Sequence, residues 1–228
     1  MAVDPGSRLE VVIEKAVFRG FGLARHEGQV VLVRGAYPGE RWRVRVTEVG
    51  KQLVRAEAEQ PLEAAAARRA SPCPSFPECG GCTYQDLEYS AQLELKRAVL
   101  QDALDRAHAP RVEQIAVVPS HESGWRSRAS LHVSADGAGA HLGLMALGSR
   151  RVIDFPACLQ LSEALNSVVR GLRTMLRRHP GLAGRVERIE LAESGDGAAR
   201  VAALVGGLGT RDLGRLAGMA SELSLIHI

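Results

Sequence analysis

Three of the four cysteines of the chain, Cys73, Cys79 and Cys82, lie in the segment CPSFPECGGC, and the fourth, Cys158, follows far downstream. Cys79 and Cys82 enclose two residues, a spacing that lets two sulfur atoms reach one metal centre. The paired glycines between them allow a tight turn with backbone amides aimed at sulfur. Four thiolates suit a structural zinc ion or an iron-sulfur cluster, and the spacing alone favours neither. The sequence therefore predicts a metal site with the ligands Cys73, Cys79, Cys82 and Cys158.

Two other interpretations of these cysteines are weaker. A thioredoxin-like redox pair needs a strand directly before the motif, whereas the segment SPCPSFPE is rich in proline. Four unrelated buried thiols would leave every cysteine without the partner that its spacing suggests. Structural disulfides are rare in the reducing cytoplasm, so metal ligation is the better interpretation for a cytoplasmic chain.

Composition and charge exclude several classes of protein. The 228 residues are 46% hydrophobic, which is enough for a buried core, and the net charge of +3 is far from a histone-like balance. Any nucleic-acid contact must then be a local patch. No apolar run approaches the roughly 20 residues of a membrane-spanning helix, and the first residues, MAVDPGSRLE, lack the apolar core of a signal peptide. We expect a cytoplasmic monomer without a membrane partner.

Short β-strand patterns separated by glycine turns fill residues 9–60 and predict a small five-stranded, OB-like barrel. In the segment ERWRVRVTEV, alternation places Trp42, Val44 and Val46 in the core and the arginines on the opposite face. That face carries Arg41, Arg43 and Arg45. Guanidinium groups about 7 Å apart along a strand suit an RNA phosphate backbone, although a solvated strand face is the ordinary interpretation of any single arginine.

The remaining residues are divided by composition and periodicity. Residues 1–8 are expected to be a tail, and residues 61–72 a linker of low complexity. Residues 73–228 are predicted to form an α/β domain with an amphipathic helix after the cysteines and a second helix near Glu163–Arg178. The last residues, LSLIHI, have the pattern of a β-strand that stops without a cap, so we expect this domain to be truncated.

These motifs make the sequence resemble a known family, the TRAM-containing RNA (uracil-C5) methyltransferases, which modify ribosomal or transfer RNA. The matching segments are CPSFPECGGCTYQ, YSAQLELKRAVL, GWRSRASLHV and LGLMALGSRRVIDFPAC, with FRGFGLAR and GAYPGERWRVRV in the barrel. The resemblance extends over essentially the whole chain. It implies that residues 9–60 are a TRAM domain and that the four cysteines hold a structural 4Fe-4S cluster near the RNA.

The resemblance further implies RNA as the partner, ribosomal RNA first and transfer RNA as the other candidate, and S-adenosylmethionine as methyl donor in the full-length enzyme. Family members continue into a C-terminal Rossmann-like domain that carries the cofactor site, a nucleophilic cysteine and a general base. We expect that domain to be absent and the chain to be an inactive fragment without catalytic or cofactor-binding residues. The alternative is a self-sufficient zinc- or cluster-binding RNA-binding module with no methyltransferase activity.

Two further arginines are candidates for RNA binding. Arg126 and Arg128, in the segment WRSRASL, match a basic stretch that lies on the substrate side of the central domain in the family. An ordinary pair of charges at the end of a strand is an alternative of equal weight.

Overall fold

The computed structural model describes residues 3–109, 114–137 and 139–210, together with residues 212 and 216. Contacts divide the protein into two compact units. The first comprises Met1–Pro72 and Thr83–Pro119, and the second comprises Cys73–Cys82 and Ser120–Ile228. These units are discontinuous along the chain, whereas the predicted limits at 1–8, 9–60, 61–72 and 73–228 follow the sequence and stay predictions. The strand predicted for LSLIHI, residues 223–228, lies outside the described residues.

The first unit is built on a six-stranded sheet. Its strands are β1 (Arg8–Val12), β2 (Lys15–Val17), β3 (Phe21–His26), β4 (Gln29–Arg34), β5 (Arg41–Val49) and β6 (Leu53–Glu63). Their order is β1-β5-β6-β4-β3-β2, and all neighbours are antiparallel except β4 and β6. Only Ile13 and Glu14 separate the edge strands β1 and β2 along the chain, so the sheet has to curl until its edges approach each other, as in a small barrel.

Alternation along β5 decides which face of this sheet is the core. Trp42, Val44 and Val46 are buried, and the arginines between them lie on the outer face, which confirms the predicted division. The other buried members of this core are mostly small or β-branched, as the inside of a tightly curved sheet requires: Val11, Ile13, Ala24, Val31, Val33, Ala36, Val54 and Ala56.

The helix α1 (Tyr89–Arg106) also belongs to the first unit. This helix was expected from the apolar repeat after the cysteines, and it buries Leu95 in a small cluster with Ala16, Tyr37 and Leu87. In the described part of the chain, no helix combines the length and the apolar character needed to span a bilayer.

A buried carboxylate, Glu40, fastens the segment after β6 to the barrel. Its side chain is fully buried and accepts hydrogen bonds from the amides of Tyr37 (2.8 Å) and Ala65 (3.0 Å), from Trp42 Nε1 (2.8 Å) and from Arg68 Nε (2.6 Å). Burial alone would raise the pKa of Glu40, but these donors outweigh burial and lower it. The carboxylate is therefore charged and satisfied inside the unit.

The second unit is a five-stranded antiparallel sheet with helices on one face. Its elements are β7 (Arg128–Asp136), β8 (Gly139–Met145), β9 (Val152–Asp154), α2 (Glu163–Arg178), α3 (Pro180–Ala183), β10 (Val186–Glu193) and β11 (Arg200–Gly206). The strand order is β11-β10-β7-β8-β9. Leu165, Val169 and Leu172 of α2 are buried in one core with Leu131 and Ile189 of the sheet. The predicted helix at Glu163–Arg178 is confirmed.

The predicted fold class is wrong in two respects that the strand order makes plain. The barrel sheet has six strands rather than five, because the short segment Lys15–Val17 forms a strand of its own. The second unit is not α/β: its strands are antiparallel and α2 and α3 follow one another between β9 and β10, which is an α+β arrangement. The hairpins β7–β8 and β10–β11 need only short turns, so no helical crossovers arise.

Candidate functional site

The loop that carries three of the cysteines lies in the second unit, against the end of β8. The amide of Gly80 donates to the carbonyl of Met145 at 3.0 Å, and the amide of Leu147 donates to the carbonyl of Glu78 at 2.9 Å. Within the loop, the amide of Cys79 donates to the carbonyl of Ser75 at 2.8 Å. The backbone of the CGGC turn is therefore held by the sheet.

The two glycines of this turn are closely packed. A Cβ atom on Gly81 would lie 2.5 Å from Leu144 Cδ1, and one on Gly80 would lie 3.0 Å from the carbonyl oxygen of Met145. The amide of Gly81 donates to Cys79 Sγ at 3.4 Å. The predicted turn, with a backbone amide aimed at sulfur, is confirmed at Cys79.

Cys158 is fixed from the other side by a buried asparagine. The amide of Cys158 donates to Asn166 Oδ1 at 2.8 Å, and Asn166 Nδ2 donates to the carbonyls of Cys158 (3.0 Å) and Leu161 (3.2 Å). Asn166 lies in the first turns of α2 and is only 6% exposed. The sequence analysis missed this residue, although a polar residue on the apolar face of a predicted helix was a usable signal.

Arg126 joins these two parts of the site. Its Nη2 donates to the carbonyl of Gly81 at 3.4 Å, and its backbone amide donates to the carbonyl of Gln160 at 2.7 Å. The amide of Ser162 in turn donates to the carbonyl of Arg126 at 3.2 Å. Arg126 therefore touches both the CGGC turn and the segment that follows Cys158.

Groups around the Cys79 thiol shift its pKa in both directions. Burial raises the pKa of Cys79, and the neighbouring Cys158 and Cys73 raise it further, whereas the amide of Gly81 and the charge of Arg126 act in the opposite direction. Cys73 and Cys158 thus each lie close enough to Cys79 to act on its thiol electrostatically. Without a cation between them, the neutral thiol of Cys79 is the favoured form.

The four thiols suit a metal centre by donor type, because thiolate sulfur is a ligand for zinc and for iron-sulfur clusters. All four cysteines are half-buried, form no disulfide and lie in the second unit. In the part of the chain that the structure describes, no group of three or more Cys, His, Asp or Glu side chains is placed so that it could hold a metal ion. Binding of one metal group by all four cysteines would therefore require their sulfur atoms to move closer together.

Each arginine of the row on β5 is paired with a glutamate of a neighbouring strand. The pairs are Arg41 with Glu63 (2.9 Å), Arg43 with Glu10 (3.0 Å) and Arg45 with Glu57 (2.6 Å). A phosphate group could bind this row only by displacing carboxylates, which reduces the gain from each contact. The assignment of these arginines to RNA binding stays a prediction.

Arg128 is exposed at the start of β7, beside an open cavity of about 420 Å³. The cavity lies over β7, β10 and β11, and its polar lining includes Ser130 and Glu190, which form a hydrogen bond of 3.0 Å. Arg126 and Arg128 thus differ, because Arg126 lies against the cysteine site and Arg128 is available to a ligand.

Comparison with known protein families identifies a domain at the start of the chain. Residues 2–58 match the family described as the TRAM domain. This chain carries a TRAM domain. It coincides with the curled sheet of the first unit, from β1 into β6.

The relatives of the chain are methyltransferases. It is 39% identical over 170 residues to the 23S rRNA (uracil(1939)-C(5))-methyltransferase RlmD of Acidithiobacillus ferrooxidans, covering 73% of this chain and 38% of the relative. The enzyme of the same name from Shewanella amazonensis is 32% identical over 218 residues, covering 94% of this chain and 49% of the relative. The chain therefore spans less than half the length of these two curated relatives.

A solved structure shares the fold. The crystal structure of the Pyrococcus abyssi tRNA (uracil-54, C5)-methyltransferase in complex with S-adenosyl-L-homocysteine matches 88% of this chain and 46% of its own with a TM-score of 0.61. The sequence identity is 23%, so this likeness concerns the fold alone.

These matches correct the functional prediction. The sequence analysis predicted an RNA-recognition and iron-sulfur part without its catalytic Rossmann-like domain, or alternatively a self-sufficient binding module. Both predictions are wrong, because similarity to a methyltransferase runs through 94% of this chain and is not confined to a binding module. The matches likewise give no support to a fragment that is inactive alone.

Proposed function

We propose that this chain acts in the S-adenosylmethionine-dependent methylation of uracil C5 in RNA. The observation that carries the proposal is the similarity to 23S rRNA (uracil-C5)-methyltransferases through 94% of the chain. The TRAM domain at residues 2–58 supports an RNA substrate. The matching relatives favour ribosomal RNA over transfer RNA, and we propose the cytoplasm, where that RNA is found, as the location of the chain.

We further propose that Cys73, Cys79, Cys82 and Cys158 hold a 4Fe-4S cluster. Support comes from their spacing, from their common unit and from the closeness of Cys73 and Cys158 to the Cys79 thiol. When bound, the cluster would supply a cross-link between the loop 73–82 and the segment at Cys158.

The residues around the thiols have positioning roles in this proposal. Gly81 offers an amide to the Cys79 sulfur, which favours the thiolate form. Asn166 fixes the backbone on both sides of Cys158, and Arg126 adds a positive charge that offsets part of the charge of four thiolates. Zinc at the same four ligands is the alternative, because cysteine sulfur suits both.

The exposed Arg128 is proposed as an RNA contact beside its open cavity, since its guanidinium can bind a phosphate. Arg126 lies close to the cysteine site, so we propose it both as an RNA contact and as a positioning residue for the cluster. Arg41, Arg43 and Arg45 are proposed as weaker contacts because each has to release a glutamate first. A monomeric state stays a prediction.

The test of the proposed activity is methyl transfer. The purified protein is incubated with S-adenosylmethionine labelled in the methyl group and with ribosomal or transfer RNA that lacks 5-methyluridine, and the RNA is digested to nucleosides. We expect label in 5-methyluridine from ribosomal RNA. Label in another nucleoside, or no label in either RNA, would contradict the proposed reaction.

A further inference from the structure

Two aromatic and two basic residues meet at one end of the sheet of the first unit. Residues 18–20 form the turn between β2 and β3, and they carry Phe18 and Arg19. At the start of β3, Phe21 lies opposite Val17 on one side and opposite Arg34 on the other. The register therefore brings Phe18, Arg19, Phe21 and Arg34 to the same corner of the sheet.

At this corner, Phe21 holds an arginine in a defined orientation. The guanidinium carbon of Arg34 lies 4.5 Å from the centroid of the Phe21 ring, and that of Arg55 lies 5.7 Å from it. Phe21 is buried, so the ring is a fixed base for these cations. A stacked guanidinium keeps its N–H edge free, and less conformational entropy is lost when that edge binds a phosphate.

Phe18 offers an aromatic surface in the turn that leads into β3. Phe18 is 74% exposed, more than any other aromatic residue of the first unit among the described residues. The guanidinium carbon of Arg19 lies 5.9 Å from its ring centroid. Arg19 has φ of +69°, a backbone conformation that residues other than glycine seldom adopt. An exposed ring of this kind can stack on a nucleobase of any type.

The arginines at this corner differ from the row on β5 in how many of them are paired with a carboxylate. Arg55 is paired with Glu48 at 3.3 Å, but among the described residues neither Arg19 nor Arg34 takes part in an ion pair. The carboxylate opposite Arg34 in the ladder is Glu57, which binds Arg45 at 2.6 Å. Two guanidinium groups at the corner can thus receive phosphates without first releasing a carboxylate.

We propose that the first unit holds single-stranded RNA at this corner, with a base stacked on Phe18 and with phosphates at Arg19, Arg34 and Arg55. The inference rests on the proposed function, because it names the surface through which this unit contacts the RNA. It also ranks the surfaces: the corner is the main contact and the row on β5 a minor one.

The test is the affinity of the full chain for a fluorescently labelled single-stranded RNA of about 16 nucleotides, the upper site size of one OB-like fold. It is measured by anisotropy over a series of salt concentrations. Phe18→Ala should weaken binding at least about five-fold, because it removes a base-stacking contact. Arg34→Gln should reduce the salt slope of the logarithm of the affinity by about 0.7, because one phosphate contact is lost.

Arg45→Gln is the matched control, since it removes the same charge from the outer face of the neighbouring part of the sheet. We expect it to reduce the salt slope clearly less than Arg34→Gln does, because Arg45 is already paired with Glu57. Inorganic polyphosphate is a second probe: Phe18→Ala should leave its binding unchanged, because polyphosphate has no base to stack. Thermal melting of each variant checks that the first unit is still folded.

Each result of these binding measurements leads to a different conclusion. If the wild-type chain binds the RNA and both Phe18→Ala and Arg34→Gln bind it equally well, the corner is not the contact surface, and the proposed function stands. A loss with Arg45→Gln as large as that with Arg34→Gln would also overturn the inference in favour of the row on β5. A wild-type chain that does not bind the RNA would overturn the inference and RNA recognition together.

Discussion

At the scale of single residues, the candidate metal site depends on neighbours that are not ligands. The Cys79 sulfur receives the amide of Gly81, and the guanidinium of Arg126 lies against the carbonyl of that same residue. Burial opposes ionisation of the Cys79 thiol, so these two groups lower the cost of forming a thiolate there. Changes at either residue should therefore appear first in metal retention.

Gly81→Ala should weaken metal retention. The new methyl group would lie 2.5 Å from Leu144 Cδ1, so either that side chain or the CGGC turn has to move. We expect faster release of metal to a chelator at equal protein concentration. Gly195→Ala is the control, because a Cβ atom there meets nothing within 4 Å. Equal release rates for the two variants would show that the turn tolerates the methyl group.

Arg126→Met should speed metal release as well, because it removes the donor to the Gly81 carbonyl and the positive charge near Cys79. Arg126→Lys keeps the charge and should restore part of the retention. The control is Arg128→Met, which makes the same change of charge at an exposed position. If Arg126→Met and Arg128→Met release metal at the same rate, Arg126 has no positioning role.

At the scale of elements, the start of α2 fixes the fourth cysteine. Ser162 caps the helix by accepting a hydrogen bond from the amide of Leu165 at 3.2 Å, and Asn166 satisfies both backbone groups of Cys158. The first turn of α2 therefore orients the segment that contains Cys158. Loss of either contact should loosen this part of the second unit.

Asn166→Ala should lower the free energy of unfolding by about 1–3 kcal/mol, because it leaves backbone polar groups near Cys158 without partners. Ser162→Ala should cost about 1 kcal/mol through loss of the cap. Ser167→Ala, at an exposed position of the same helix, is the control and should change stability little. Urea denaturation of the three variants measures these differences, and a cost at Ser167 equal to that at Asn166 would argue against the assigned role.

The sequence predicted local features well and the arrangement of elements poorly. Strict alternation at Trp42, Val44 and Val46 predicted the core face of β5, because a side-chain period of two depends only on the strand itself. The strand β2 was missed because three residues carry too little pattern, and the antiparallel second sheet depends on which hairpins pair.

The partners of the functional side chains also could not be predicted from the sequence. Spacing predicted the turn at Gly81, which is local along the chain, whereas the ligand set stays a prediction. The glutamates opposite Arg41, Arg43 and Arg45 come from β1 and β6, so the neutralisation of that row follows only from strand order and register. The stacking of Arg34 on Phe21 likewise follows from the register of β3 and β4.

At the scale of the whole molecule, each unit contains a carboxylate whose charge the fold stabilises. In the first unit, hydrogen bonds from Arg68 and three other donors lower the pKa of Glu40 against the effect of burial. In the second unit, burial raises the pKa of Asp154, but hydrogen bonds from Arg173 and from the amide of Leu142 outweigh it and lower the pKa. Both groups therefore link stability to pH.

The sign of this linkage follows from the direction of the two shifts. A carboxyl whose pKa is lowered by folding stabilises the native state above its unfolded pKa of about 4, and this stabilisation is lost as the pH falls through the lower folded pKa. We expect the free energy of unfolding to fall below about pH 4. Glu40→Gln should cost about 3 kcal/mol at neutral pH, because Arg68 loses one of its two charged partners, Glu40 and Asp86, and should flatten the acid slope of the first unit. An unchanged slope would contradict the role given to Glu40.

The central claim, that Cys73, Cys79, Cys82 and Cys158 hold one iron-sulfur cluster, is tested most directly by anaerobic purification followed by iron, sulfide and zinc analysis of one sample. We expect about four iron and four sulfide per chain, with a broad visible absorption band, and loss of both in Cys158→Ser. Stoichiometric zinc without iron would contradict the cluster and favour a structural zinc site at the same thiols.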